Sequence, residues 1–304
     1  MIEVLKPGLL DLVMDLGRPG FRAQGVPEGG AADAPALMLA NRLVGNPERA
    51  AGLELLLRGP ALRFPEGGRI ALSGADMRAR CGDAMLPRGR TLEIPPGGVL
   101  ELAQADKGLR AYLAVAGGIE APPVLGSRAT FLPSGFGGWQ GRALRAGDML
   151  PTGAPQGHRQ GVLTFPRAKS ALRILPGPQL PAFADAALQA LTARTFAVGP
   201  DANRLGLRLA GPALAYRGGE LASQAVLPGA IQVPPDGQPI ILGWDGPVTG
   251  GYPVLAAVFA ADLPRLGQLR PGDRLAFAFV TLAEAQAAWR KHERDLDEAI
   301  AWAA

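Results

Sequence analysis

Cysteine is almost missing: Cys81 is the single one among 304 residues, so no internal disulfide framework holds this chain. Histidine occurs twice, at His158 and His292, and lysine four times, at Lys6, Lys107, Lys169 and Lys291. A histidine-based triad or a zinc site would need more, and no metal ligand set is expected. Acid–base work falls to carboxylates, a tyrosine or bound groups. His158 lies in the linker-like "TGAPQGHRQG", and His292 on a polar helical stretch. No apolar run reaches the roughly 20 residues of a membrane span, and "MIEVLKPGLLDLVMDLG" lacks the basic-then-apolar order of an export signal. The formal charge of +4 comes from scattered arginines without basic runs or basic–aromatic interleaving. These absences point to a cytoplasmic protein with no membrane and no nucleic-acid partner.

What is plentiful is glycine (42) and proline (29), spread between short apolar runs in a chain that is 48% hydrophobic. That pattern predicts many strands joined by tight turns. "GRIALSGA", "TLEIPPGGVLELAQA" and "RAYLAVAGG" read as strands. The chain also echoes itself in order: "LLLRGPALRF" (55–64) with "LRLAGPALAY" (207–216), "IPPGG" (94–98) with "VPPDG" (233–237), "YLAVAGG" (112–118) with "YPVLAAVFA" (252–260), and "LRAGDML" (144–150) with "LRPGDRL" (269–275). The fold class expected is therefore mainly β, as two related tandem β-barrel domains, 1–155 and 156–304, with a few peripheral helices. Gly59 should then match Gly211, and Gly147 should match Gly272.

Three helices have end signals. Asp33 can cap "DAPALMLANRLVGN", with Pro35 in its first turn and Gly45 closing it. "AFADAALQALTAR" (182–194) is a second helix. A third begins at Thr281, which has capping-box spacing to Glu284, and runs through "TLAEAQAAWRKHERDLDEAIAWAA".

Four stretches carry chemistry. The first, "DLGRPGFRAQGVPEGGAAD", places Arg18, Arg22, Glu28 and Asp33 among glycines, either as an anion-binding loop or as a connection in which Asp33 only caps a helix. The loop 117–142 is long and offers Ser127, Arg128 and Thr130 as oxyanion or phosphate ligands; it reads equally as a Gly-rich cover with Trp139 packed on it. Its "GFGGWQG" does not fit a phosphate-binding P-loop, and no lysine is near. "DANRLGLRLAGP" holds Arg204 and Arg208. Lastly, "GWDGPVTGGYP" follows the buried-type strand "GQPIIL". Asp245, Thr249, Tyr252 and the upstream Gln232 form a candidate catalytic set, with Gly250 and Gly251 giving a ligand room; a hairpin of unusual composition is the alternative.

"GRPGFRAQGVPEGGAADAPALMLANRLVGN", "AYLAVAGGI" with "LGSRAT", and "PGAIQVPPDGQPIIL" with "TGGYP" and "QLRPGD" together resemble the family of the C subunit of 5-oxoprolinase. The family is also called KipI antagonist or allophanate hydrolase subunit 2, and is related to the carboxyltransferase region of urea carboxylase. The resemblance runs from about residue 10 to 280 and implies two cyclophilin-like β-barrels. Relatives carry an Asp-Arg-x-Thr-Thr-Gly-Gly-Tyr stretch where this chain has "DGPVTGGY". The implied activity is ATP-dependent opening of the 5-oxoproline lactam to glutamate. The implied site is shared with two other 5-oxoprolinase chains, the KipI-like B subunit plus the A subunit, ATP and Mg2+ acting in the assembled complex. Arg18, Arg204 and Asp245 with the glycine loops are the implied phosphate- and proton-handling groups. Two other roles stay open: carboxyl transfer from carboxybiotin to a urea-like acceptor, and non-enzymatic sequestration of a KipI-like kinase inhibitor. There is no Met-Lys-Met sequence, so no biotin is expected on this chain.

Overall fold

The computed structural model describes residues 1–157, 160–164 and 171–302; the linker reading at His158 lies outside them. The chain forms two compact units, each mainly β. The first takes Met1–Pro19, Gly29–Phe165 and Asp295–Ala304, and the second takes Gly20–Glu28 and Pro166–Arg294. This differs from a division into 1–155 and 156–304, because a short early segment belongs to the second unit and the C-terminal end to the first. The expected helix to the C-terminus stops at Asp297, and Ile300–Trp302 instead pairs antiparallel with Gly161–Leu163. Ile300 is buried there beside Leu39, Leu43 and Ala114, a gain that no further helical turn would provide.

The first unit has two sheets. Strand Arg110–Val115 is central in one, paired with Gly52–Leu56 and Gly68–Gly74. All six of its residues are buried, because both faces are covered. Ala111, Leu113 and Val115 point into a core with Val13, Leu53, Leu62, Phe64 and Leu100. Tyr112 and Ala114, alternating with them, meet helix α1 (Ala34–Val44) through Leu37 and Ala40. Asp33 caps α1 by accepting from the Ala36 N–H at 3.2 Å, and Gly45 closes it in the left-handed conformation.

In the second unit, eight strands make one sheet whose two ends are almost one segment. Arg274–Leu275 pairs with Phe196–Val198 at one end, and Phe277–Phe279 runs parallel to Leu172–Pro176 at the other. Only Ala276 separates the two, so the sheet closes into a barrel around Ile174, Phe196, Leu209, Ile231, Ile241, Leu255 and Phe277. Helices α2 (Asp185–Ala193), α3 (Leu263–Leu266) and α4 (Leu282–Asp297) lie in the same half of the sequence. Thr281 and Glu284 form the reciprocal capping box: Thr281 N donates to Glu284 Oε2 at 2.7 Å, and Glu284 N to Thr281 Oγ1 at 3.2 Å.

Part of the internal echo is structural. Gly147 and Gly272 have φ of 88° and 89°, and each donates its N–H at 2.8 Å to the carbonyl of a strand valine, Val4 or Val198. Asp148 and Asp273 tie their turns identically, accepting from Arg145 N at 2.7 Å and Arg270 N at 2.8 Å. The Pro-Pro turns also match: Gly98 N donates to Pro95 O at 2.8 Å, and Gly237 N to Pro234 O at 2.9 Å. Gly59 and Gly211 each come just after a strand, Gly52–Leu56 and Gly206–Ala210, and only Gly59 leads straight into another, Ala61–Phe64.

One buried group in the first unit is unfavourable at neutral pH. Asp11 is buried, its Oδ1 has no hydrogen-bond partner among the described residues, and burial pushes its pKa from 3.8 up to about 6 against the opposing Gly8 N–H. The folded state thus holds the proton more tightly than the unfolded chain. The stability this contributes is complete below pH 3.8 and is lost as pH rises through about 6. At pH 8 the difference amounts to about 3 kcal/mol. Asp11→Asn is expected to raise the melting temperature at pH 8 and leave it unchanged at pH 3.5; equal shifts at both values would contradict the assignment.

Candidate functional site

In the second unit, strand Ile240–Leu242 delivers the chain to Gly243, whose N–H bonds Leu205 O at 2.9 Å. A side chain at Gly243 would collide with the Arg204 carbonyl, so the backbone can pass this close only as glycine. Asp245 follows, its own N–H on Arg204 O at 3.0 Å. Its carboxylate takes a bidentate grip from Arg204, Nε to Oδ2 at 2.6 Å and Nη2 to Oδ1 at 3.0 Å, with both residues buried. Two residues singled out separately in the sequence are therefore one buried ion pair. Asp245 does not stand open at a barrel mouth.

The other end of the stretch is different. Thr249–Gly250 pairs with Gln224–Ala225, and Thr249, Gly251 and Tyr252 are exposed. Beneath them Gln232 ends strand Ala230–Gln232 at a register shift opposite Val254, and is 4% exposed. Its Nε2 donates to Tyr252 O at 3.4 Å. A Cβ on Gly250 would stand 2.7 Å from that nitrogen, so the glycine leaves the amide its space. Gln179 and Gln224 donate to each other's carbonyl oxygens at 3.1 Å, and Gln179 Oε1 also accepts from Val254 N at 2.9 Å. Gln232, Thr249, Gly250, Gly251 and Tyr252 are thus brought together, with Gln179 and Gln224 added. Arg22 reaches the Val226 carbonyl within the same unit. Arg208 reaches exposed Asp236 at 3.1 Å, and by register it flanks Ile240 on the side opposite Gln232.

In the first unit a second polar knot forms around Asp15, which opens the stretch "DLGRPGFRAQGVPEGGAAD" but is not one of the candidates named in it. Its carboxylate accepts from Gly17 N at 2.8 Å, Ser127 Oγ at 2.6 Å and Arg128 N at 2.6 Å. Thr130 Oγ1 donates to Val13 O at 2.9 Å. Arg18, fully buried, donates to Ala129 O and lies 4.9 Å over the Phe136 ring. The hydroxyls of Ser127 and Thr130 are spent on holding the loop. Arg128 is the exception: its backbone is clamped, yet its half-buried guanidinium makes no hydrogen bond or ion pair among the described residues.

A third buried network sits under the start of α1. Glu54 Oε2 accepts from Ala32 N and Tyr112 OH, both at 2.8 Å, while Arg110 Nε lies 3.3 Å from Oε1. Tyr112 OH in turn accepts from Asp33 N at 2.7 Å. Burial, then the carboxylates of Glu54 and Asp33, push the Tyr112 pKa well above 10. Asp33 is placed here as a helix cap, apart from the Asp15 knot.

A model of the carboxyltransferase domain, subdomain A and B, matches residues 24–279. The chain belongs to this carboxyltransferase domain family. It is 40% identical over 306 residues to the 5-oxoprolinase C subunit of Escherichia coli (strain K12), covering 99% of this chain and 98% of that one. To the 5-oxoprolinase C subunit of Haemophilus influenzae it is 35% identical, over 98% and 97%. The crystal structure of Kluyveromyces lactis urea amidolyase matches with a TM-score of 0.91 at 30% identity, over 98% of this chain and 20% of that one. The two-barrel reading and the resemblance to the 5-oxoprolinase chain thus hold for this member of the carboxyltransferase family. No helix among the described residues is long and apolar enough to cross a membrane.

Proposed function

We propose that this chain is the C subunit of an ATP-dependent 5-oxoprolinase and contributes part of a shared site that opens the 5-oxoproline lactam to glutamate. The observation that carries this is the 40% identity to a 5-oxoprolinase chain along nearly the whole of both sequences. An amide carbonyl is a poor electrophile, and phosphorylation of its oxygen makes attack by water feasible, so such a site needs donors for developing negative charge. On this chain the neutral set Gln232, Thr249 and Tyr252 binds the substrate.

The described residues hold no preformed metal cluster and offer ATP few unengaged cations. Among the described residues no three His, Cys, Asp or Glu side chains converge, Arg204 is engaged by Asp245, and Arg18 by Ala129 and Phe136. ATP therefore belongs to the complex assembled with the A subunit plus the KipI-like B subunit, in the cytoplasm, and no step is routed through it on this chain. The expected result is glutamate formation from 5-oxoproline and ATP only when all three chains are combined. Robust turnover by this chain alone would overturn the shared site. The match to urea amidolyase favours one second reading, carboxyl transfer from a separately carried biotin. Carboxylation of urea by the assembly, with no 5-oxoproline opening, would establish it instead.

A further inference from the structure

We infer that Gln232 reads the amide edge of the substrate, pairing its carboxamide with a cis-amide whose N–H and C=O lie on one side. This rests on the 5-oxoprolinase reading and names the group of the lactam that this chain recognises. A carboxamide offers two donors and an oxygen with two lone pairs. Gln232 uses little of that capacity: its side chain makes one long bond, 3.4 Å to Tyr252 O, and its Oε1 has no partner among the described residues. The side chain is held by its surroundings, yet Oε1 is not one of the fully buried unpartnered atoms, so this edge is open to a ligand.

The surroundings say what. Gln179 and Gln224 already show edge-to-edge carboxamide pairing in the same strand cluster, each donating to the other at 3.1 Å. A five-membered lactam is locked as a cis-amide and presents the same edge to Gln232. Access is over Gly250, which carries no side chain where a Cβ would approach the Gln232 nitrogen to 2.7 Å. Exposed Tyr252 supplies an aromatic wall beside the ring. The carboxylate of the same stretch, Asp245, is bound by Arg204, so the edge is read by neutral groups. Glutamate has no ring amide and cannot make this pair, so opening the lactam dissolves the contact that held it.

The test uses the full chain with three probes: 2-pyrrolidinone, the cyclic urea 2-imidazolidinone, and cyclopentanone, which has the carbonyl without the N–H. Ligand-observed NMR should show the first two binding and cyclopentanone not, alone or in the assembled complex. Gln232→Glu, nearly isosteric, and Gly250→Ala, which crowds the amide at a position of ordinary φ, should abolish that binding. In the complex they should lower kcat/KM for 5-oxoproline about 10- to 100-fold, the range of one or two lost hydrogen bonds. Melting temperatures identify a variant that fails to fold; if Gln232→Glu does, Gly250→Ala decides. Lactam binding that depends on Gln232 in an assembly inactive on 5-oxoproline would support this inference and sink the enzymatic reading. The inference is overturned if cyclopentanone binds as well as the lactam, if the wild type binds neither amide, or if folded variants turn over 5-oxoproline normally.

Discussion

Asp245→Ala should destabilise the second unit by about 3–5 kcal/mol, because it leaves the buried Arg204 guanidinium without its carboxylate. From the sequence, Asp245 reads as a replaceable acid–base group, and Asp245→Asn as a change that spares the fold. The bidentate pair reverses that expectation, since Asn removes the charge and leaves the guanidinium facing an amide N–H2. The joint replacement Arg204→Met with Asp245→Leu should recover much of the loss, as buried pairs exchanged for apolar residues commonly do. Denaturant midpoints of the three variants would show this. A single variant within about 1 kcal/mol of wild type, below the cost of an unpaired buried group, would mean that the pair is not a structural element.

Glu54→Gln is the second large effect, also about 3–5 kcal/mol, now in the first unit. Glu54 accepts from Ala32 N and Tyr112 OH on one oxygen and faces Arg110 from the other. An amide there must turn its N–H2 toward one of these donors, and the buried Arg110 loses its counter-charge. For a unit of this size the loss corresponds to a fall of roughly 10 °C in its melting transition. Tyr112→Phe should cost less, because it removes a hydroxyl and leaves the ion pair. Calorimetry on both variants checks the order, and a larger loss for Tyr112→Phe would reverse the roles assigned here.

Local signals in the sequence translated well. Asp33, Gly45, Thr281 with Glu284, and the twin Gly-Asp turns act within a few residues of themselves, so spacing alone identifies them. What stayed hidden was held by distant partners. Asp15 meets Ser127 across 112 positions, and Tyr112 meets Glu54 across 58. A signal did exist: Glu54 stands alone in "GLELLL", and a lone carboxylate in an apolar strand is seldom buried without partners. Asp245 misled for the opposite reason. Its position after a strand implied an open end, whereas Arg204, 41 residues earlier, closes over it. The candidate site lay a few residues on, at the Thr-Gly-Gly-Tyr end, and its partners Gln179 and Gln224 carried no motif at all.

Closure of the eight-stranded sheet limits how other chains can join this one. An open β-sheet invites another polypeptide to extend it, because its outermost strand has a row of unused N–H and C=O groups. In the eight-stranded sheet of the second unit little of that row is left among the described residues: Phe277–Phe279 lies on Leu172–Pro176, and the Ala276 carbonyl is taken by Leu172 N at 2.8 Å. A partner reaching this unit must recognise side chains and loops such as 247–252, which makes its selectivity a matter of surface chemistry. The first unit differs. Its six-stranded sheet ends at exposed Ala84–Met85, with Met85 63% exposed, so backbone-to-backbone extension is open there. Engineering that hairpin, for instance with a proline at Met85, whose N–H faces outward because the bonded pair is Leu86–Ala79, would remove strand addition from the assembly routes while leaving the second unit untouched.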